Sequence, residues 1–236
     1  MNYYFLLEDE KSFIKVLPKW LSYMGFSNDR VQDISFVTEN CYVLQTGQGV
    51  TQLITRALFQ TIDTLIQNPG TIDELIVILD SEEYDTNYRK TQVLGLINEY
   101  IEKNGLAIDF SYKVFVCNHC FETWLLGNGT LYPQIRPDDD FRRYYDAYNI
   151  QLYDPEKMRP PEDINETTAI YHFHYLHEMC RHNKIRYSKK KPMNLATKEY
   201  FQEIITRAST TKDLPSFLEF YSYFFDIGTE KSLIRE

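Results

Sequence analysis

Three carboxylates, Asp80, Glu82 and Glu83, follow directly on the apolar run 75–79 within the stretch DELIVILDSEEYD. A short aliphatic run bounded by polar residues reads as a strand buried on both faces of a parallel sheet. Ligands of open α/β sheets bind just beyond the carboxyl ends of such strands. Acids crowded there repel one another unless a cation offsets them, and their hard oxygens suit Mg2+ or Mn2+. A solvated acidic loop that merely ends a strand fits the same residues, and this stretch alone leaves both readings open.

The same grammar recurs at the N-terminus, where the aromatic and apolar residues 3–7 run into Glu8, Asp9 and Glu10. A further acid, Glu122, stands in CFETWLL beside Trp124, Leu125 and Leu126. A carboxylate among large apolar side chains is costly unless paired or used. Just before it, Cys117, His119 and Cys120 raise a thiol or zinc chemistry. No second cysteine pair follows at ligand spacing, so a strand end leading into a helix is the preferred reading. His172, His174 and His177 lie on one expected helix, with His174 and His177 sharing a face. Without a metalloprotease-type acid pattern they read as polar surface residues. Arg186, Lys189, Lys190, Lys191 and Lys198 form one basic segment, which reads as solvated charge or a phosphate contact.

Positioning these groups falls to an alternation of elements. Helical spacing of Phe13, Ile14, Leu17, Trp20, Leu21 and Met24 predicts a helix with Pro18 as a kink and Gly25 as its stop. Short strands are expected over 34–37 and 41–45. The TGQG turn then opens a helix carrying Leu53, Ile54, Leu58, Ile62, Leu65 and Ile66; it matches neither dinucleotide nor P-loop fingerprints and reads as a plain turn. After the central strand come a helix through Val93, Leu94, Ile97 and Ile101 and a strand over 112–117. The order implies an α/β fold, a mainly parallel sheet flanked by helices. Residues 131–162, rich in Asp, Pro, Tyr and Arg, mark the expected boundary between an α/β domain, 1–130, and a helical C-terminal part with the basic loop, 131–236. The last helix is nearly all aromatic over 217–225, and that face needs cover from the domain itself or from another chain.

With 236 residues and a net charge of −9, the chain is long enough for such a domain and an appendage. The charge excludes a surface basic all over but not a local basic groove. Cys41, Cys117, Cys120 and Cys180, without a dense disulfide pattern, suit a reducing cytoplasm. An N-terminus interrupted by acids reads as neither a signal segment nor a membrane span.

Taken together, YFLLEDE, IVILDSE and CFETWLL resemble a Toprim-like domain over roughly residues 1–130, nearest to the RloB-type proteins and the overcoming-lysogenisation-defect nucleases of phage defence. The resemblance implies one or two Mg2+ ions held by Glu8, Asp80 and Glu82, with Glu122 as a further acid at the site. It also implies a late lysine, Lys189 or a neighbour, and metal-dependent cleavage of DNA or RNA by an antiviral effector under a partner ATPase. Partner docking or homo-oligomerisation would use the C-terminal aromatic helices. Two departures stand out: Asp9 replaces the usual glycine, and Glu82 replaces the second aspartate. The first favours an alternative, a Toprim-like binding or regulatory module without catalysis. In the nuclease reading Tyr84, Tyr88 and the basic loop hold the nucleic acid by stacking and phosphate contact.

Overall fold

Along the first strand, β1 (Tyr3–Leu7), Tyr3, Phe5 and Leu7 enter one hydrophobic cluster and Tyr4 and Leu6 another. The period of two places these clusters on opposite faces of a sheet. A computed structural model describes residues 1–233. Its remaining strands are β2 (Asp29–Val31), β3 (Cys41–Thr46), β4 (Glu74–Asp80) and β5 (Ser111–Cys117), and all pairings are parallel in the order β2-β3-β1-β4-β5. The expected α/β class and parallel sheet are thus observed.

Helix α1 (Phe13–Tyr23), with Pro18 inside it, leads from β1 towards β2 and β3. From β3 the chain returns through α2 (Val50–Gln52), a π-helical turn (Leu53–Ala57) and α3 (Leu58–Gln67) to β4. Helix α4 (Thr86–Lys103) then carries it outward to β5. The neighbours β1 and β4 therefore send their connections in opposite directions, with α1 on one face and α4 on the other. A topological switch point of this kind opens a crevice at the carboxyl ends of the two strands.

Residues 34–37, expected as a strand, are instead a 3-10 turn, Ile34–Phe36, and the edge strand lies earlier, at Asp29–Val31. Asp33 supplies the reason: its Oδ1 accepts from the Ser35 N–H, satisfying locally a donor that a ladder would otherwise take.

Beyond the sheet come α5 (Phe121–Leu125), α6 (Arg142–Ala147), α7 (Thr168–His182), α8 (Lys198–Thr211) and α9 (Pro215–Leu233). Segments 1–130 and 131–233 share one hydrophobic core on the α1 face. In it Trp20 stacks on Phe201 at 4.7 Å, Phe13 on Phe121 at 4.5 Å, and Phe224 meets Phe5 at 5.6 Å. A Cβ placed on Gly228 would lie 2.1 Å from the Met24 carbonyl oxygen, so α9 closes onto the end of α1 through a residue without a side chain.

The aromatic face of α9 is covered by the chain itself. Phe217, Phe220 and Phe224 are fully buried, and Phe220 and Phe224 pack on Phe115 of β5. Of the two covers expected for this face, the domain itself supplies the one over Phe217, Phe220 and Phe224, while Phe225 on the same helix stays half exposed. Among the described residues no helix is long and apolar enough to cross a membrane.

Candidate active site

Glu8 follows β1 at the switch point. Its N–H continues the ladder to the Ile78 carbonyl at 2.9 Å, while its carbonyl turns away to accept from Gly49 N–H. The next ladder donor, Asp80 N–H, is taken by the Glu8 side chain, at 2.7 Å to Oε2. Burial pushes the Glu8 carboxyl up, and the Asp80 amide pulls it down. Glu82 then raises it, the Val50 amide at the start of α2 lowers it, and Asp9 raises it, leaving it at about 7. Burial likewise lifts Asp80 well above the usual carboxylate range, reinforced by Glu8, Glu122 and Asp9 and opposed by Lys189. The TGQG turn, as expected, is a turn; Gly49 at φ +99 brings its N–H onto the Glu8 carbonyl.

Glu122 lies in the first turn of α5 and is 1% exposed. Its Oε1 accepts from the Tyr187 hydroxyl at 3.0 Å, and its Oε2 has no hydrogen-bond partner but lies 3.6 Å from Lys189 Nζ. Burial pulls the Lys189 ammonium down; Glu122, Cys120, Asp80 and Asp9 outweigh it and hold the group above its ordinary value. Of the five residues expected from the sequence, Glu8, Glu122 and Lys189 all act electrostatically on Asp80 at the carboxyl ends of the strands, and Glu82 acts on Glu8. Of the lysines 189–191, Lys189 is the one that pairs with Glu122.

Glu82 stands apart. It adopts a left-handed conformation at φ +55, and its exposed carboxylate lies 3.6 Å from Arg89 of α4. Glu83 accepts from the Thr168 N–H and hydroxyl at the start of α7. Asp9 is engaged locally, accepting from Lys11 N–H at 2.5 Å and Ser12 N–H at 2.6 Å.

Sequence reasoning missed Tyr187 and Arg159, and singled out His119 for a different chemistry. Tyr187 was hidden in a loop notable only for its lysines. His119 and Arg159 form a latch beneath the site: Arg159 donates to His119 Nε2 at 2.7 Å, and His119 Nδ1–H donates to the Glu82 carbonyl at 2.8 Å. This fixes the Asp80–Glu82 turn. Burial lowers the His119 imidazole, which suits its acceptor role towards Arg159. The histidines of α7 divide: His174 and His177 are partly exposed as expected, whereas His172 is fully buried, corrected from a surface position. It bridges Thr123 and Met158. Cys117 and Cys120 are buried and unpaired, and burial holds both thiols well up, so they are protonated packing groups.

Among the described residues no three His, Cys, Asp or Glu side chains are close enough to hold a metal ion by themselves. The chemistry of the donor set nevertheless fits Mg2+, which binds through one or two carboxylates and fills its shell with water and substrate phosphate. Glu8 and Asp80 supply such a pair, each raising the other's affinity for positive charge. Comparison with protein-family models, curated proteins and solved structures found no match for this chain.

Proposed function

We propose that the protein is a Mg2+-dependent phosphodiesterase acting on nucleic acid, in the manner of a Toprim-like nuclease. The observation that carries this reading is the hydrogen-bonded Glu8–Asp80 pair at the switch point, with the Glu8 carboxyl held at about 7. Perturbed acids in a cleft mark sites that bind or turn over charge. Glu8 and Asp80 would hold the ion, which when bound polarises a phosphoryl oxygen as a Lewis acid. Lys189 would stabilise charge developing on the phosphoryl oxygens, with its ammonium oriented by Glu122, itself held by Tyr187. Near the mouth, Tyr84 and Tyr88 stack on each other at 5.4 Å with half of each side chain exposed, a surface on which a base can lie. Four unpaired thiols agree with a cytoplasmic setting. An antiviral role under a partner ATPase rests on the family resemblance alone.

A second reading, a Toprim-like binding module without catalysis, is favoured by two observations: Asp9 is consumed by local hydrogen bonds and Glu82 turns towards Arg89. Incubation of the protein with supercoiled plasmid and with RNA in Mg2+ separates them. The nuclease cleaves one of these substrates and Asp80→Asn abolishes the cleavage; absence of cleavage by wild type on both leaves the binding module.

A further inference from the structure

The basic segment has two sides. Tyr187 and Lys189 reach Glu122, and Arg186, Ser188 and Lys191, together with Tyr187 and Ile185, line a separate cavity of about 260 Å³ bounded also by Arg181 and His177. The segment is a pinned turn. Ser188 and Lys191 pair across it, Asn194 donates to the Arg186 carbonyl at 2.8 Å, and Lys15 Nζ donates to the Lys190 carbonyl at 2.8 Å. Arg181 and His177 already face Glu178. Arg186 and Lys191 have no ion pair among the described residues, and no acid lines the cavity. In a chain of net charge −9, two uncommitted cations on a wall without acids select an anion.

We infer that this outer cavity binds the backbone phosphate next to the scissile one, so that the substrate is a polynucleotide strand gripped on both sides of a single turn. The inference rests on the proposed chemistry for the position of the scissile phosphate beside Lys189. Lys189 and Lys191 are two residues apart in one turn, so their Cα atoms are at most about 7 Å from each other, within the order of one nucleotide step. A strand crossing this turn thus presents successive phosphates to the two sides. Arginine and lysine contacts of this kind read the backbone, not the bases. DNA and RNA share that chemistry.

The test measures binding of single-stranded DNA and RNA oligonucleotides to the full chain, without divalent ions, across a salt series. Wild type is compared with Arg186→Gln/Lys191→Gln, whose side chains are exposed and leave the core intact. Losing two phosphate contacts makes the slope of log K against log salt shallower by about 1.4 for a single strand. A shallower slope with both polymers supports the site; a change with one polymer supports it and names the source. Slopes and affinities unchanged in both overturn it. Hydrolysis of a small phosphodiester without neighbouring phosphates, by wild type and by Asp80→Asn, tests the chemistry separately. A protein inert on that diester but altered in salt slope loses the catalytic reading and keeps the phosphate site.

Discussion

Asp80 donates its backbone N–H to Glu8 Oε2 across 2.7 Å, joining two strand ends that are 72 residues apart in sequence. Because this bond replaces a ladder bond, the carboxylate is fixed at the seam between β1 and β4, where burial and neighbouring acids oppose its charge.

Glu8→Gln therefore separates stability from function. The folded carboxyl titrates at about 7 against an ordinary 4.5, so the folded state keeps a proton that the unfolded state has lost. The stability of the metal-free protein falls as pH rises through that window, by up to about 3 kcal/mol. The variant, which cannot ionise, is expected to be more stable than wild type at pH 8 in EDTA and to lose Mg2+-dependent cleavage. Urea unfolding at pH 5 and pH 8 measures the first, and a nicking assay the second.

Lys189→Met should lower kcat about 100-fold, the scale of removing one donor from a developing oxyanion. Tyr187→Phe removes only the hydroxyl on Glu122 Oε1, so Glu122 and Lys189 lose their orientation without losing charge. A fall of about 10-fold in kcat with KM little changed is expected, read by steady-state kinetics on an oligonucleotide.

Phe220→Ala tests the assignment of the aromatic α9 face to the core. Phe220 packs on Phe115, Trp124 and Phe13, and truncation should cost about 3–5 kcal/mol, seen as a lower denaturation midpoint. A change of a few tenths would mean that the helix is dispensable to the fold.

His172 sets an acid limit. Its Nε2–H donates to the Met158 carbonyl and its Nδ1 accepts from Thr123, which leaves the ring neutral; burial, then His119, lowers it to about 3. Unfolded, it takes a proton near 6.5, so its contribution is present above that pH and is lost as pH falls towards 3. Between pH 6.5 and 5 wild type should lose about 2 kcal/mol more than His172→Gln, measured by chemical denaturation.

The sheet was legible because β1, β4 and β5 carry apolar runs that end abruptly, in acid at Glu8 and Asp80 and in polar Asn118 after Cys117. The same endings located Glu8 and Asp80, and Glu122 stood out as an acid among tryptophan and leucines. Which neighbouring acid turns inward was not legible: Glu82 and Glu83 differ only in a left-handed turn and in long-range partners, Arg89 and Thr168. Tyr187 and Arg159 escaped for a similar reason, since their roles depend on contacts with Glu122 and His119, distant in sequence. The aromatic residues of α9 gave burial without direction; only the packing identifies the sheet as their partner.

Calorimetric titration of Mg2+ into the metal-free protein at pH 7, repeated in buffers of different ionisation enthalpy, tests the Glu8–Asp80 pair most directly. A carboxyl held at about 7 must give up its proton when a cation binds. The account predicts saturable binding with release of a fraction of a proton or more, lost in Glu8→Gln and in Asp80→Asn. Absence of binding, or binding unaffected by either substitution, would contradict it.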